Sequence, residues 1–348
     1  MACVYCKFNE MGKRVLYLGN RQLDAGSTPT TIDTLTNRFR AEGIEVLAYS
    51  NKRNKVLRMF QMIWALLAKR KWADLLLIDT YSTQNFYYAV ITARLARWLR
   101  IPYYPILHGG NLPNRLNTSP SLSKHLFGNA KCNISPSYYL IEEYRKAGYQ
   151  NLEYIPNVID LDNYLFTIRT VIRPKLLWVR AFNKIYNPVL ALETLELLLE
   201  IYPEAELCMI GPDKDGSMAN CEQIAREKKL PVTFTGKMEK EAWIAHSKNF
   251  DLFINTTNLD NTPVSVIEAM ALGLTVVSTD VGGIPFLIEH QKDGILVPPN
   301  DAVSFVQAIK GLVEEPLGAQ QITRAARRKA ETFDWAQVKE QWFALFKD

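Results

Sequence analysis

No apolar run in this chain is long enough to cross a bilayer. The nearest, residues 62–68 (MIWALLA), is bracketed by Arg58 and by Lys69-Arg70-Lys71. The N-terminus (MACVYCKFNEMGKRVLYL) lacks an apolar core segment followed by a small-residue cleavage site, so no export signal is read there and a cytoplasmic location is expected. Cysteine is scarce: Cys3, Cys6, Cys132, Cys208 and Cys221 make five, an odd and scattered set. Cys3 and Cys6 form a lone C-x-x-C with no second pair, no histidine partner and no preceding strand. That argues against zinc or redox use and for reduced thiols. No G-x-G-x-x-G follows any expected strand, which argues against a dinucleotide-dependent oxidoreductase. Low-complexity segments and short solenoid repeats are also missing.

Acidic residues are scarce in one half only. Residues 1–165 carry 21 Lys and Arg against 12 Asp and Glu, a net charge of +9, whereas residues 166–348 carry 20 against 24, a net charge of −4. The first half therefore suits an anionic partner: a membrane surface, a phosphate-bearing acceptor or nucleic acid. Residues 51–72 (NKRNKVLRMFQMIWALLAKRKW) hold seven basic residues and no acid. Met59, Met62, Ile63, Leu66 and Leu67 form a helical stripe, Trp64 and Trp72 suit an interface, and Arg94, Arg97 and Arg100 add a second basic face. The stripe itself reads more simply as a helix face packed on a sheet. The charges point to peripheral contact with an anionic membrane.

At 348 residues, with 48% apolar and 22% charged residues, the chain suits two globular domains. Short β-branched runs alternate with helical patterns. Expected strands are 14–18, 44–48, 75–78, 103–107 and 132–134, separated by expected helices 30–41, 55–71, 86–99 and 137–146. After a stretch without periodicity, 161–175, expected as a linker, the alternation restarts. Strands are expected at 176–179, 207–210, 232–234, 252–254, 275–278 and 295–297, with a helix at 188–200. This predicts an α/β protein of two doubly wound Rossmann-like domains, 1–165 and 166–330. Residues 331–348 form a further helix, expected to pack back on the first domain. Ligands of such sheets bind at strand C-terminal ends, here in a cleft between the domains.

The most informative stretch is 258–283, NLDNTPVSVIEAMALGLTVVSTDVGG. Thr262 is suited to cap a helix, Pro263 to its first position and Gly273 to its C-terminal close. Glu268 falls four residues after Val264 and three before Ala271, on their apolar face. A carboxylate there is costly unless hydrogen-bonded. The paired hydroxyls of a ribose would serve, and so would a buried arginine or backbone group. Asp260 lies just ahead of the helix, facing its N-terminus or serving only as a turn residue. The free amides at Val264 and Ser265, with the helix dipole, offer a site for a diphosphate.

This stretch resembles the signature of the retaining glycosyltransferases of family 4, the group 1 transferases, in which an acid, seven other residues and a Glu stand in a context like EAMALGLTVVSTDVGG. The resemblance implies the two-domain GT-B fold. It implies that Asp260, where the family usually has Glu, contacts the donor sugar, and that Glu268 holds the ribose. Arg180, ending the strand at Trp178-Val179, matches the family's diphosphate-neutralising Arg. Lys184 takes the place of its downstream Lys, although the usual Lys-Gly is replaced by sequence ending in YNP. Gly211, Gly236, Lys237 and Met238 match loops near the nucleotide, with Thr262, Pro263, Val264 and Ser265 at the diphosphate. Gly26 stands in the loop after the first strand, where relatives use glycine, and His108 stands where relatives often have a His near the reacting sugar.

What the resemblance implies is transfer of a sugar from a nucleotide diphosphate sugar to a hydroxyl of a saccharide or lipid-linked acceptor, with retention, in polysaccharide or glycolipid synthesis. No cofactor is expected: the one Asp-x-Asp, Asp213-Lys214-Asp215, follows Gly-Pro in a turn, so metal independence is favoured, and nucleic acid is not an expected partner. A non-catalytic nucleotide-sugar-binding subunit and a nucleotide-sugar epimerase on the same fold remain open alternatives.

Overall fold

The computed structural model describes residues 12–20, 30–50, 52 and 54–347. The N-terminal C-x-x-C and Gly26 lie outside them. The chain divides into two compact units, residues 1–155 with 340–348, and residues 156–339.

The first unit holds β1 (Arg14–Leu18), α1 (Thr31–Ala41), β2 (Glu45–Tyr49), α2 (Lys55–Lys69), β3 (Leu75–Tyr81), α3 (Asn85–Trp98), β4 (Tyr103–His108), α4 (Pro113–Thr118), α5 (Pro120–Phe127), β5 (Asn133–Ser135), α6 (Tyr138–Lys146) and β6 (Leu152–Tyr154). Its six strands are all parallel, in the order β2-β1-β3-β4-β5-β6. The interior strands β1, β3 and β4 are buried nearly throughout, as parallel strands covered on both faces must be. Met62, Ala65 and Leu66 of α2 share one core with Ala89 and Ala93 of α3 and with Leu16, Leu76 and Ile78 of the sheet, so α2 and α3 lie on one face. Elsewhere in the unit Phe39 of α1 meets Trp342 and Phe346 edge-on, each with ring centroids 5.3 Å apart.

The second unit holds β7 (Lys175–Val179), α7 (Pro188–Leu199), β8 (Glu206–Ile210), α8 (Ser217–Lys228), β9 (Val232–Gly236), α9 (Lys240–His246), β10 (Leu252–Asn255), α10 (Val264–Leu272), β11 (Thr275–Thr279), α11 (Ile284–Leu287), β12 (Ile295–Val297), α12 (Ala302–Glu314) and α13 (Pro316–Glu331). The last helix is α14 (Trp335–Lys347). The strand order is β12-β11-β10-β7-β8-β9, again all parallel. The chain winds outward from β7 in one direction and from β10 in the other. The crevice at the C-terminal ends of β7 and β10 is thus the topological switch point, where open α/β sheets bind ligands.

Two expectations are corrected. Residues 161–175 are no free linker: Tyr164 and Ile172 are buried in the second unit. Arg169 there donates to the carbonyls of Phe250 at 2.8 Å and Gly273 at 2.7 Å. Anchors spaced that widely leave no periodic trace, and they carry the unit boundary to 155/156. In addition, the cap of α10 is Pro263, extended at φ −68° and ψ 119°, with no side chain capping the helix. Thr262 lies one residue outside it. Gly273 does close the helix, at φ 80°, where a side chain would also strike the Thr167 carbonyl.

Candidate functional site

Arg180 follows β7, and its amide donates to the Ile210 carbonyl at 3.0 Å. The Gly211 amide in turn donates to the Gly236 carbonyl at 2.9 Å. These links bring the ends of β7, β8 and β9 side by side. A side chain on Gly211 would collide with the Arg180 carbonyl, so glycine is required for this approach.

The Arg180 guanidinium is largely buried. It lies 4.3 Å from the centroid of the Tyr186 ring and ion-pairs with Asp260. Burial pushes its pKa down and Tyr186 opposes the shift. Its Nε has no hydrogen-bond partner among the described residues. A buried cation with an unused donor is a group prepared for an anion.

Asp260 and α10 arrive from β10. The loop between them is fixed by Thr256, which accepts from Trp178 Nε1 at 3.0 Å and donates to the Tyr186 carbonyl at 2.9 Å. Gly282 and Gly283 press on the far side, where side chains would strike the carbonyls of Asp260 and Asn261. Every residue from Ser265 to Leu272 is buried. At the helix N-terminus the Val266 amide already bonds the Pro263 carbonyl at 3.1 Å. The amides of Val264 and Ser265 make no hydrogen bond among the described residues, and Ser265 Oγ is buried without a partner. Two free amides, a free hydroxyl and a buried guanidinium therefore gather at the switch point of one sheet, a set of donors whose chemistry suits phosphate oxygens.

Glu268, one turn further along, is 5% exposed. Its Oε1 accepts from the Tyr164 hydroxyl at 2.7 Å and from Lys240 Nζ at 2.6 Å. The sequence reading foresaw that this carboxylate needs partners but named neither Tyr164 nor Lys240. The Lys240 side chain is half exposed and borders a cavity of ≈ 270 Å³, lined also by Asn163, Leu165, Ile244 and Leu272. The cavity leaves space beside the Lys240 side chain.

The remaining expected residues spread around this centre. Lys184 is exposed, held by its own amide donating to Asp215 Oδ2 at 2.9 Å. Lys237 pairs with Glu239 at 3.2 Å, and Met238 packs on the second unit's core. The Thr262 carbonyl accepts from Asn157 Nδ2 at 3.1 Å. Asp213 accepts from the amides of Asp215 and Gly216, and Asp215 from Ser217, so this Asp-x-Asp is spent on its own turn and on the start of α8. Among the described residues no group of three or more His, Cys, Asp or Glu could hold a metal ion.

In the first unit His108 ends β4 and is buried. Its Nε2 lies 2.9 Å from Asp79 Oδ1, which also accepts from the Tyr17 hydroxyl at 2.8 Å, and Tyr81 stacks on the imidazole at 4.8 Å. Burial and then Asp79 push the Tyr17 pKa well up, so its proton stays on. Glycine at 19 leaves room for Asp79, which any side chain there would strike. Sequence reasoning missed Asp79. The available signal was an acid closing an apolar run at a strand's C-terminal end.

Residues 173–315 match the family model described as glycosyl transferases group 1. Among curated proteins the chain is 29% identical over 150 residues to a sulfoquinovosyl transferase of Arabidopsis thaliana, covering 42% of this chain and 28% of that protein. It is 40% identical over 75 residues to an amylovoran biosynthesis glycosyltransferase of Erwinia amylovora, covering 22% and 18%. A glycogen synthase of Mycobacterium tuberculosis is 24% identical over 207 residues, covering 57% and 49%. The chain thus spans less than half the length of each of these relatives. Among solved structures, a sucrose-phosphate synthase from Thermosynechococcus elongatus superposes with a TM-score of 0.78 at 17% identity, covering 96% of this chain and 98% of that one. Anabaena HepE in complex with UDP and glucose superposes with a TM-score of 0.75 at 16% identity, covering 96% and 99%. The fold is that of the GT-B glycosyltransferases, and residues 173–315 are similar to group 1 of the glycosyl transferases.

Proposed function

We propose that this protein is a retaining glycosyltransferase of family 4, moving a sugar from a nucleoside diphosphate donor to a hydroxyl of a saccharide or lipid-linked acceptor. The observation that carries the reading is the meeting of Arg180, the unbonded amides of Val264 and Ser265 and the buried carboxylate of Glu268 at one switch point. The amides and Arg180 take the diphosphate, and Glu268 takes the ribose hydroxyls once Lys240 withdraws. Asp260, held beside Arg180, contacts the donor sugar. Gly211, Gly236, Lys237 and Met238 border the nucleotide.

In the reaction the bond between the anomeric carbon and the phosphate oxygen breaks and the acceptor oxygen bonds that carbon on the same face. The acceptor proton passes to the departing phosphate. Negative charge grows on that phosphate, and Arg180 and the α10 N-terminus offset it by fixed electrostatics. With that charge carried by the protein, no metal is required. Work at the cytoplasmic side, in polysaccharide or glycolipid synthesis, and peripheral contact with an anionic membrane where a lipid-linked acceptor resides belong to the same reading.

Thermal shift across UDP, GDP and ADP, followed by release of nucleoside diphosphate from the matching sugar donors, is the test. UDP comes first because the HepE structures were solved with UDP. One nucleotide at a hundredfold its Kd is expected to stabilise the protein by about 2.7 kcal/mol. Turnover is expected to survive EDTA. No shift with any nucleotide would defeat the reading, and a shift without donor turnover would mark a non-catalytic binding subunit.

His108 requires an orienting partner if it contacts the sugar, and Asp79 provides one. Asp79→Asn is expected to lower kcat about tenfold or more while KM for donor stays within roughly twofold, the effect of a misdirected imidazole. A fall in melting temperature with kcat unchanged would reduce Asp79 to a structural role.

A further inference from the structure

The apolar stripe of α2, Met59, Met62, Ile63, Leu66 and Leu67, reads from the sequence as a face packed on the sheet, and in the folded chain only part of it does so. Met62, Ala65 and Leu66 are spent on the core. A second stripe, displaced around the helix, has no such use: Val56 is 63% exposed, Leu57 57%, Phe60 65%, Trp64 59% and Leu67 40%. Positions 56, 60, 64 and 67 follow one another at steps of four, four and three, which sets them on one outer face. The neighbouring α3 repeats the pattern, with Tyr87, Ile91 and Trp98 exposed at steps of four and seven and Trp98 at 73%. The two helices lie on the same face of the sheet, and the Tyr88 hydroxyl donates to the Lys55 carbonyl at 3.1 Å, tying their first turns together.

The charge around these side chains is of one sign. From Val46 to Ile141 the chain holds thirteen Lys and Arg and only two acids, Asp74 and Asp79. Asp74 is engaged by Arg14, whose Nη2 lies 3.3 Å from its Oδ1, and Asp79 is buried beside His108. Lys55, Arg70, Lys71, Arg94, Arg97 and Arg100 remain exposed on or beside the two helices. Nothing in the fold requires an outer face that is both apolar and free of acid, and a helix packed on a sheet is normally polar outside.

We propose that the outer faces of α2 and α3 dock on an anionic lipid bilayer. Val56, Leu57, Phe60 and Ile91 enter the acyl boundary, Trp64, Trp98 and Tyr87 sit at headgroup level, and the flanking Lys and Arg contact lipid phosphates. A bilayer fits better than a protein because the basic field is continuous and unpatterned over both helices, matching an extended anionic surface rather than a partner of mixed charge. The inference deepens the reading of a lipid-linked acceptor and rests on it only for the purpose of docking. The binding itself involves neither donor nor transfer.

Flotation of the full chain with phosphatidylcholine vesicles, and with vesicles carrying about a third phosphatidylglycerol, tests it without donor, at low salt and at roughly 1 M salt where the screening length is about 3 Å. Binding is expected to the anionic vesicles at low salt only. The exposed double variant Phe60→Ser/Trp64→Ser is expected to lose at least about tenfold in partitioning. Arg94→Gln/Arg97→Gln/Arg100→Gln is expected to lose roughly fivefold for each side chain removed. Brominated lipid is expected to quench the wild type more than Trp64→Phe. Failure to float, or flotation untouched by the Phe60 and Trp64 changes, overturns the proposal. So does a lipid-free dimer that these changes dissociate, which would make the face a contact between copies. Melting curves equal to wild type keep the variants interpretable, and donor turnover persisting without vesicle binding would overturn docking while leaving the transferase reading intact.

Discussion

Glu268→Gln is expected to reduce sugar transfer below detection and to weaken nucleoside diphosphate binding by about tenfold to a hundredfold, the range set by losing hydrogen bonds to a charged acceptor. The substitution preserves shape. The amide oxygen still accepts from the Tyr164 hydroxyl, and Lys240, whose side chain is half exposed, is left to water rather than buried alone. Melting within a few degrees of wild type is therefore expected, which separates ligand loss from unfolding. Tyr164→Phe is the informative contrast, since it removes a resting partner of Glu268 and keeps the carboxylate. Nucleotide affinity in Tyr164→Phe is expected to stay within a fewfold of wild type. Titration calorimetry on both variants decides the matter: unchanged affinity in Glu268→Gln would show that this carboxylate serves only Tyr164 and Lys240.

Much of the architecture was legible because parallel strands buried on both faces read as continuous apolar runs. The bounds of β1 and β12 agree with the expectation residue for residue, and most other strands differ by a residue or two at their ends. What escaped notice lacks that signal. β6 is three residues long and none of them is fully buried. The helices α4 and α5 are short and begin at Pro113 and Pro120, so their trace was proline at a first helical position rather than a stripe. The α2 stripe was visible, but periodicity could not say that a second, displaced stripe would stay outside once the first was used.

The site was legible where its chemistry is local. The spacing from Asp260 to Glu268 lies within one loop and one helix, and the amides of Val264 and Ser265 follow from the helix start. Its long-range partners were not legible. Tyr164 and Glu268 are 104 positions apart, and Tyr164 lies in a segment without period. The pairing of Arg180 with Asp260 likewise depends on β7 and β10 being neighbours, a consequence of strand order rather than of either motif.

That pairing governs what Arg180→Ala should do. The guanidinium faces Asp260 and Tyr186 in a largely buried setting, so removing it leaves a buried carboxylate without its cation. Breaking a buried pair in this way costs on the order of 3–5 kcal/mol, and the single variant should melt well below wild type. Arg180→Ala/Asp260→Ala removes both charges and is expected to recover most of that loss. Turnover separates the chemical role from the structural one. Charge on the departing phosphate is greatest in the transition state, so kcat is expected to fall about 10²–10³-fold in Arg180→Ala, the scale of losing one preorganised donor to a developing anion, and at least as far in the double variant, which also loses the Asp260 contact with the sugar. Affinity for nucleoside diphosphate should fall by a smaller factor, because the Val264 and Ser265 amides still hold the ground-state phosphates. Arg180→Lys keeps the charge but not the planar fork, and is expected to lie between wild type and alanine in kcat. The decisive comparison is the double variant, folded and without the arginine. If it turns over donor at the wild-type rate with only a raised KM, Arg180 anchors the resting diphosphate and the stabilisation of the leaving group must come from α10 alone.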